Sequence, residues 1–124
     1  MIATYRVKKD KERDLLAVLR DRYVILRREG FLTDRPACVL RGQDGIYLEI
    51  LEWVSAEAIA AADQNEIVGA LWASLERVAE YRRLAHLPES HELFAELESV
   101  DLEQPADNVI ERASPALWKP DSRR

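Results

Sequence analysis

Cysteine, glycine and long apolar runs are scarce in this chain. Its single cysteine, Cys38, cannot form an intramolecular disulfide or a thiolate metal cluster, and its apolar strand context predicts a buried, inert thiol. Four glycines in 124 residues offer no Gly-rich phosphate-binding loop. No segment approaches the roughly 20 apolar residues that span a bilayer, and residues 1–14 contain no signal-peptide core. We therefore expect a cytoplasmic protein with no membrane partner.

The overall amino-acid composition is typical of one folded domain. Hydrophobic residues account for 48% and charged residues for 33% of the chain, which argues against disorder. The net charge of -5 combines 18 basic with 23 acidic residues. Because no basic run is present to neutralise phosphates, nucleic acid is not an expected partner. We predict an α+β domain over residues 1–103 and an extended polar tail over residues 104–124, with Trp118 as its anchor.

The first third of the chain predicts a strand followed by a long helix. Residues 2–8 are rich in β-branched and aromatic side chains, as in a strand. Apolar residues then recur at spacings of three and four, which gives a helix its core-facing stripe. They are Leu15, Leu16, Leu19, Tyr23 and Leu26. Asp10 is the expected N-cap of this helix, and Gly30 is the expected left-handed residue at its end.

Residues 37–54 are predicted to form a β-hairpin, because Asp44-Gly45 is a strong signal for a two-residue turn. With that loop, Cys38 pairs with Leu51. One face of the hairpin then carries Cys38, Leu40, Tyr47, Glu49, Leu51 and Trp53. The other face carries Ala37, Val39, Arg41, Leu48, Ile50, Glu52 and Val54. Helices can cover only one face of a small sheet. We assign them to the second face and expect a second copy of the chain to cover the first.

Two helices are predicted after the hairpin. Ser55 is the expected N-cap of a short Ala-rich helix, and a longer helix is predicted over residues 65–85, before Pro88. The apolar stripe of the longer helix comprises Ile67, Val68, Leu71, Trp72, Leu75, Val78 and Ala79. Residues 92–102 fit a strand or a short helix, and topology favours the strand. The resulting βαββαβ order predicts a ferredoxin-like α+β fold with a four-stranded antiparallel sheet and a broken second helix.

Two segments of this pattern resemble a known family. They are LEWVSAEAI, where a strand passes into a capped helix, and EIVGALWASL, which forms a helix stripe. They are similar to the dimeric α+β barrel superfamily, and within it to the antibiotic biosynthesis monooxygenase-like domains. This resemblance implies a homodimer whose open sheet faces pack together. It also implies chemistry without a metal or flavin, so no cofactor is expected.

The haem-degrading branch of that family fits the chain less well. That branch uses a tryptophan in the third strand, for which Trp53 is the counterpart here. It also uses an asparagine in the first strand, and residues 3–6 contain none. A histidine on the following helix would fall near Ala62. Haem degradation is therefore not expected. His86 and His91 lie on either side of a proline, so no metal site is expected there either.

The candidate catalytic residue is Glu49, and the candidate substrate-binding residues are Tyr47, Trp53, Trp72 and Arg6. A glutamate on a hairpin face that meets another subunit loses solvent, and Arg6 in the neighbouring first strand is its candidate ion-pair partner. Glu49 is the candidate catalytic base. The resemblance implies a small-molecule-binding dimer, extending to cofactor-independent monooxygenation of an aromatic or polyketide-like substrate. Core packing of both tryptophans, a structural ion pair at Glu49, and a non-catalytic dimerisation or regulatory module are the alternatives.

Overall fold

The computed structural model describes residues 1–102 as an antiparallel sheet covered on one face by helices. Its elements are β1 (Ile2–Val7), α1 (Glu12–Arg28), β2 (Cys38–Arg41), β3 (Ile46–Ile50), α2 (Ala56–Asp63), α3 (Glu66–Val78), β4 (Ala79–Arg82) and β5 (Glu98–Val100). The strand order is β4-β1-β3-β2-β5. The predicted α+β class is confirmed, whereas the sheet has five strands rather than the predicted four. The predicted tail and Trp118 lie outside the described residues.

Local sequence signals position the helix ends. Ser55 caps α2 as predicted, since its Oγ accepts a hydrogen bond from the Ala58 N–H at 3.0 Å. Gly30 follows α1 with a left-handed φ of 83°, also as predicted. Asp10, however, does not cap α1: Lys11 holds the N-cap position without a side-chain bond, and Asp10 itself has a φ of 61°. Within residues 1–102, no helix has the length and apolarity needed to cross a membrane.

The β2–β3 hairpin turns over three residues rather than two, so the predicted register is wrong by one. The Gly42 N–H donates to the Ile46 carbonyl at 2.8 Å, and both Asp44 and Gly45 adopt left-handed φ, at 61° and 71°. Since side chains alternate between the faces of a strand, a one-residue slip moves β2 to the opposite side relative to β3. The helix-facing set of the hairpin is Val39, Arg41, Tyr47, Glu49 and Leu51.

The helices therefore cover the β3 face that was predicted to meet a second copy. Tyr47 and Leu51 are 0% and 2% exposed. Tyr47 belongs to the main helix-side core, which contains Tyr5, Leu15, Leu19, Val39, Tyr47, Leu75, Val78, Ala79 and Leu102. Cys38 and Leu40 lie on the other side of the sheet. Cys38 is exposed there, not buried as predicted, because the register shift carries it away from the helices.

A strand replaces the last turns of the predicted second helix. α3 ends at Val78, and β4 follows at once, pairing with β1 so that Tyr81 lies opposite Tyr5. The edge of β1 is thereby paired instead of open. Ile67, predicted on the apolar stripe, is 51% exposed. Residues 92–102 contain the short strand β5, in agreement with the preference for strand, although it is the fifth strand of the sheet and not the fourth.

A long connection crosses the face of the sheet that the helices leave open. It comprises residues 83–97, called here the crossover segment, and joins β4 at one edge to β5 at the other. Its Leu87 packs with Ile46 and Leu48. Glu89 Oε2 accepts a backbone N–H of the hairpin turn at 2.9 Å. The chain thus covers part of the sheet face opposite the helices.

Candidate functional site

A fully buried carboxylate lies between the sheet and the helices. Glu49 is in β3, the central strand of the sheet, and is 0% exposed. Its Oε1 accepts hydrogen bonds from the Tyr5 hydroxyl at 2.7 Å and from Arg22 Nε at 3.2 Å. Its Oε2 has no hydrogen-bond partner within the described part of the chain. One oxygen is thus held by the protein, and the other has no donor among the described residues.

Aromatic rings lie beside this carboxylate. The Arg22 guanidinium carbon is 5.5 Å from the centroid of the Trp72 ring, a cation–π contact. The Tyr81 ring lies 6.4 Å from Trp72 and 5.7 Å from Tyr5, between centroids. These three rings are called here the aromatic wall. Because Tyr81 is 46% exposed, the wall extends from the buried carboxylate to the surface at β4.

The phenol of Tyr5 is a hydrogen-bond donor in this site. Burial raises the pKa of Tyr5, and the negative charge of Glu49 raises it further, while Arg22 opposes the shift. Burial also raises the pKa of Tyr81, against the influence of Arg22. Both phenols therefore stay protonated at neutral pH, and neither serves as a base. The group of this site that can act as a base is therefore the Glu49 carboxylate.

The raised pKa of Tyr5 predicts a loss of stability in alkali. Below the unfolded-state pKa of about 10 the phenol is protonated in both states, so the stabilisation is fully present. Above about pH 10 the unfolded chain ionises first, and stability falls by up to about 1.4 kcal/mol per pH unit until the folded pKa is reached. Tyr5→Phe should remove this part of the pH dependence in urea unfolding. Tyr81→Phe, which removes a half-exposed phenol, should change it less. Equal slopes for Tyr5→Phe and the unmodified protein would contradict the assignment.

Arg6 does not provide the predicted partner of Glu49. It lies opposite Ile46 and Glu80 in the sheet register, one residue beyond Tyr5, and therefore faces away from the helices. The cation beside the carboxylate is Arg22, which is buried and comes from the middle of α1. The predicted Arg6–Glu49 pair is wrong because the two side chains lie on opposite faces of the sheet.

The other predicted residues are only partly brought together. Trp72 contacts Arg22, which is the ion-pair partner of Glu49. Tyr47 is buried, but its hydroxyl donates to Glu12 and lies 3.4 Å from Arg41, towards the β2 side of the core. Trp53 packs near Phe31, with ring centroids 6.4 Å apart, and its Nε1 has no partner within residues 1–102. Trp53 and Tyr47 thus flank the site rather than form it.

Comparison of the chain with protein-family models, with curated proteins and with solved structures finds no match.

Sequence reasoning missed Arg22, although a signal for it is present. Arg22 is three residues after Leu19 and four before Leu26, so it falls on the apolar stripe of α1. A charged residue on the core-facing side of a helix requires a buried counter-charge. Tyr81 was missed because it was assigned to a helix and not to a strand beside β1.

A separate cleft lies at the β5 edge of the domain. Its volume is about 180 Å³, and its lining consists of Tyr23, Pro36, Ala37, Val100, Asp101 and Leu102. None of the predicted site residues lines it. His86 and His91 are both exposed, in two separate 3-10 turns. Neither feature is adjacent to the carboxylate in the contacts of the described residues.

Proposed function

We propose that this protein is a homodimeric small-molecule-binding protein in which Glu49 accepts a hydrogen bond or proton from a ligand. The observation that carries this proposal is Glu49 Oε2, a fully buried carboxylate oxygen without a partner in residues 1–102. Buried polar atoms nearly always have a partner, because leaving one unpaired costs free energy. A ligand hydroxyl placed against the aromatic wall satisfies this oxygen.

The order of the strands supports a ferredoxin-like assignment for the domain. α1 connects β1 to β2, which lie on either side of β3, and the α2–α3 pair connects β3 to β4. The order β4-β1-β3-β2 is that of a split βαβ fold, to which β5 adds an edge strand. This order favours the resemblance to the dimeric α+β barrel superfamily, and with it the homodimer.

The reaction class proposed for the site is cofactor-independent monooxygenation of an aromatic or polyketide-like substrate. Glu49 removes a proton from an acidic CH₂ group between phenolic rings, and the resulting carbanion supplies electrons to O₂. One oxygen atom becomes the new carbonyl, and the other leaves as water with the two hydrogens of the CH₂ group. The aromatic wall contributes an apolar boundary that excludes solvent from the carbanion.

Glu49→Gln is the variant that tests this proposal. A panel of phenolic and anthrone-like compounds is screened by thermal shift and by oxygen uptake. At least one compound should raise the melting temperature of the unmodified protein. Glu49→Gln should bind that compound at least about tenfold more weakly in calorimetric titration, a loss of roughly 1.4 kcal/mol for one charged hydrogen bond. Any oxygen uptake seen with the unmodified protein should also be lost.

Glu57→Gln is the matched control, because it makes the same change at an exposed glutamate on α2. Binding by the two variants is compared below the melting temperature of each, so that lost stability is not mistaken for lost affinity. The proposal fails if no compound stabilises the unmodified protein, or if both variants bind equally well.

The second candidate function is a non-catalytic dimerisation or regulatory module. It is favoured by the hydrogen bonds that Tyr5 and Arg22 donate to Glu49 Oε1. A structural ion pair requires the same contacts. A dimer that binds none of the compounds would select this function over the first.

A further inference from the structure

Two neighbouring apolar side chains of the crossover segment are almost fully exposed. Leu93 is 89% and Phe94 is 80% accessible to solvent. They have the largest exposed fractions among the large hydrophobic residues of the described chain. Single exposed apolar residues are ordinary, but an adjacent leucine and phenylalanine on one loop form the kind of projection that is buried in an interface.

The same molecule carries an apolar surface that such a projection fits. Ile50 lies opposite Ile2 on one side and Cys38 on the other, so the three side chains form a row across β1, β3 and β2. We call this row the apolar ledge. It is on the face opposite the helices, beyond the part covered by the crossover segment. Ile2 is 48% exposed and Cys38 is exposed, whereas Leu48 in the next row is 5% exposed.

The projection and one border of the ledge carry charges of opposite sign. Residues 84–102 contain five acidic residues and no lysine or arginine: Glu89, Glu92, Glu96, Glu98 and Asp101. Glu92 and Glu96 flank the exposed Leu93-Phe94 pair and are themselves exposed. Beside the ledge, Arg83 directly follows Arg82, which lies opposite Thr4 in the sheet register. Arg83 is exposed and forms no ion pair within residues 1–102. The acidic projection therefore matches the positive charge of Arg83 beside the ledge.

We propose that Leu93 and Phe94 of one copy dock on the apolar ledge of a second copy of the same chain. This inference deepens the homodimer of the proposed function by assigning its interface. Both complementary surfaces occur on one chain, and within residues 1–102 the side chains of Leu93, Phe94, Ile2 and Cys38 are exposed. A two-fold axis therefore makes the contact twice, with each copy giving its projection and receiving that of its partner. Glu92 and Glu96 then face Arg83 of the other copy.

Phe94→Ser is the first test, carried out on the full chain by light scattering and sedimentation over a concentration series. The unmodified protein should have twice the mass of the 14.3 kDa chain. Phe94→Ser should raise the dissociation constant at least about tenfold, as for a central aromatic residue of an interface. Because its side chain is 80% exposed, the variant should keep the unmodified melting temperature when both are monomeric. Ile67→Ser, at a 51% exposed residue of α3, is the matched control and should leave the mass unchanged.

Charge reversal tests the orientation of the two copies. Glu92→Arg should weaken the dimer, and its combination with Arg83→Glu should restore much of the affinity. Raising the salt concentration should weaken the unmodified dimer and the restored double variant to a similar extent, because each contains one pair of opposite charges at this contact.

The possible outcomes separate the interface from the function. A monomeric unmodified chain rejects both this interface and the homodimer, while ligand binding at Glu49 is measured independently. A dimer that responds equally to Phe94→Ser and Ile67→Ser keeps the homodimer and rejects this interface. If Phe94→Ser weakens the dimer but the charge swap does not restore it, the apolar docking stands. The proposed contact between Glu92 and Arg83 is then rejected.

Discussion

Replacing Arg22 with methionine is expected to destabilise the protein by about 3–5 kcal/mol, because it leaves Glu49 as an uncompensated buried charge. Arg22 and Glu49 have side-chain exposures of 5% and 0%, so water cannot take the place of the lost cation. Urea unfolding at neutral pH measures the effect. Arg20→Met, at a partly exposed arginine of the same helix, should change stability by less than about 1 kcal/mol.

The double variant Arg22→Met, Glu49→Leu identifies the cause of that loss. Removing both charges replaces the buried pair with apolar side chains, which is often nearly neutral. Most of the lost stability should therefore return, and Tyr5 would then have lost its acceptor. If the double variant were less stable than Arg22→Met alone, the cost would come from packing around Arg22 and Trp72 and not from the unpaired carboxylate.

Leu51→Asp is expected to unfold the protein. Leu51 is 2% exposed and packs beneath the helices in a cluster with Tyr23, Leu26, Leu32, Ala62 and Val68. The substitution places an unpaired carboxylate in that core, and losses above about 4–5 kcal/mol are typical of this kind of change. Far-ultraviolet circular dichroism should show loss of helix, and Arg20→Ala should leave the spectrum unchanged.

The concentration dependence of the Leu51→Asp variant distinguishes core from interface. The structure places Leu51 inside one copy, so the variant should be unfolded at every protein concentration. A folded monomer would instead mean that Leu51 lies between two copies, as the two-residue turn had predicted.

The parts of the fold that were predicted correctly depend on neighbours in sequence. Ser55 caps α2 and Gly30 ends α1 because each acts on backbone groups within a few residues of itself. The hairpin was also correctly located by Asp44-Gly45. Its register was not, because the choice between a two-residue and a three-residue turn depends on how β2 packs against β3 and the helices, and Asp-Gly is compatible with both.

The candidate site shows the same division between local and tertiary information. Glu49 was recognised because a carboxylate among apolar strand residues is conspicuous in the sequence. Its ion-pair partner was not recognised. Arg6 is a cation on the strand beside Glu49, but its side chain lies on the opposite face of the sheet. Arg22 is 27 residues from Glu49, and only the packing of α1 on the sheet brings the two together. The strand β4 was missed for a similar reason: residues 79–82 continue a helical pattern and become a strand only because β1 offers an edge.

The route of the crossover segment has a kinetic consequence. The β2–β3 hairpin joins near neighbours and closes a short loop, so it can form early. Pairing of β1 with β4 joins residues that are separated by all three helices, so it forms later, and β5 reaches β2 only after residues 83–97 have crossed the sheet. Until that crossing is complete, Ile46 and Leu48 are uncovered on strands that have already formed. We expect the newly made chain to pass through an aggregation-prone intermediate, which disappears when Leu87 packs against these two residues.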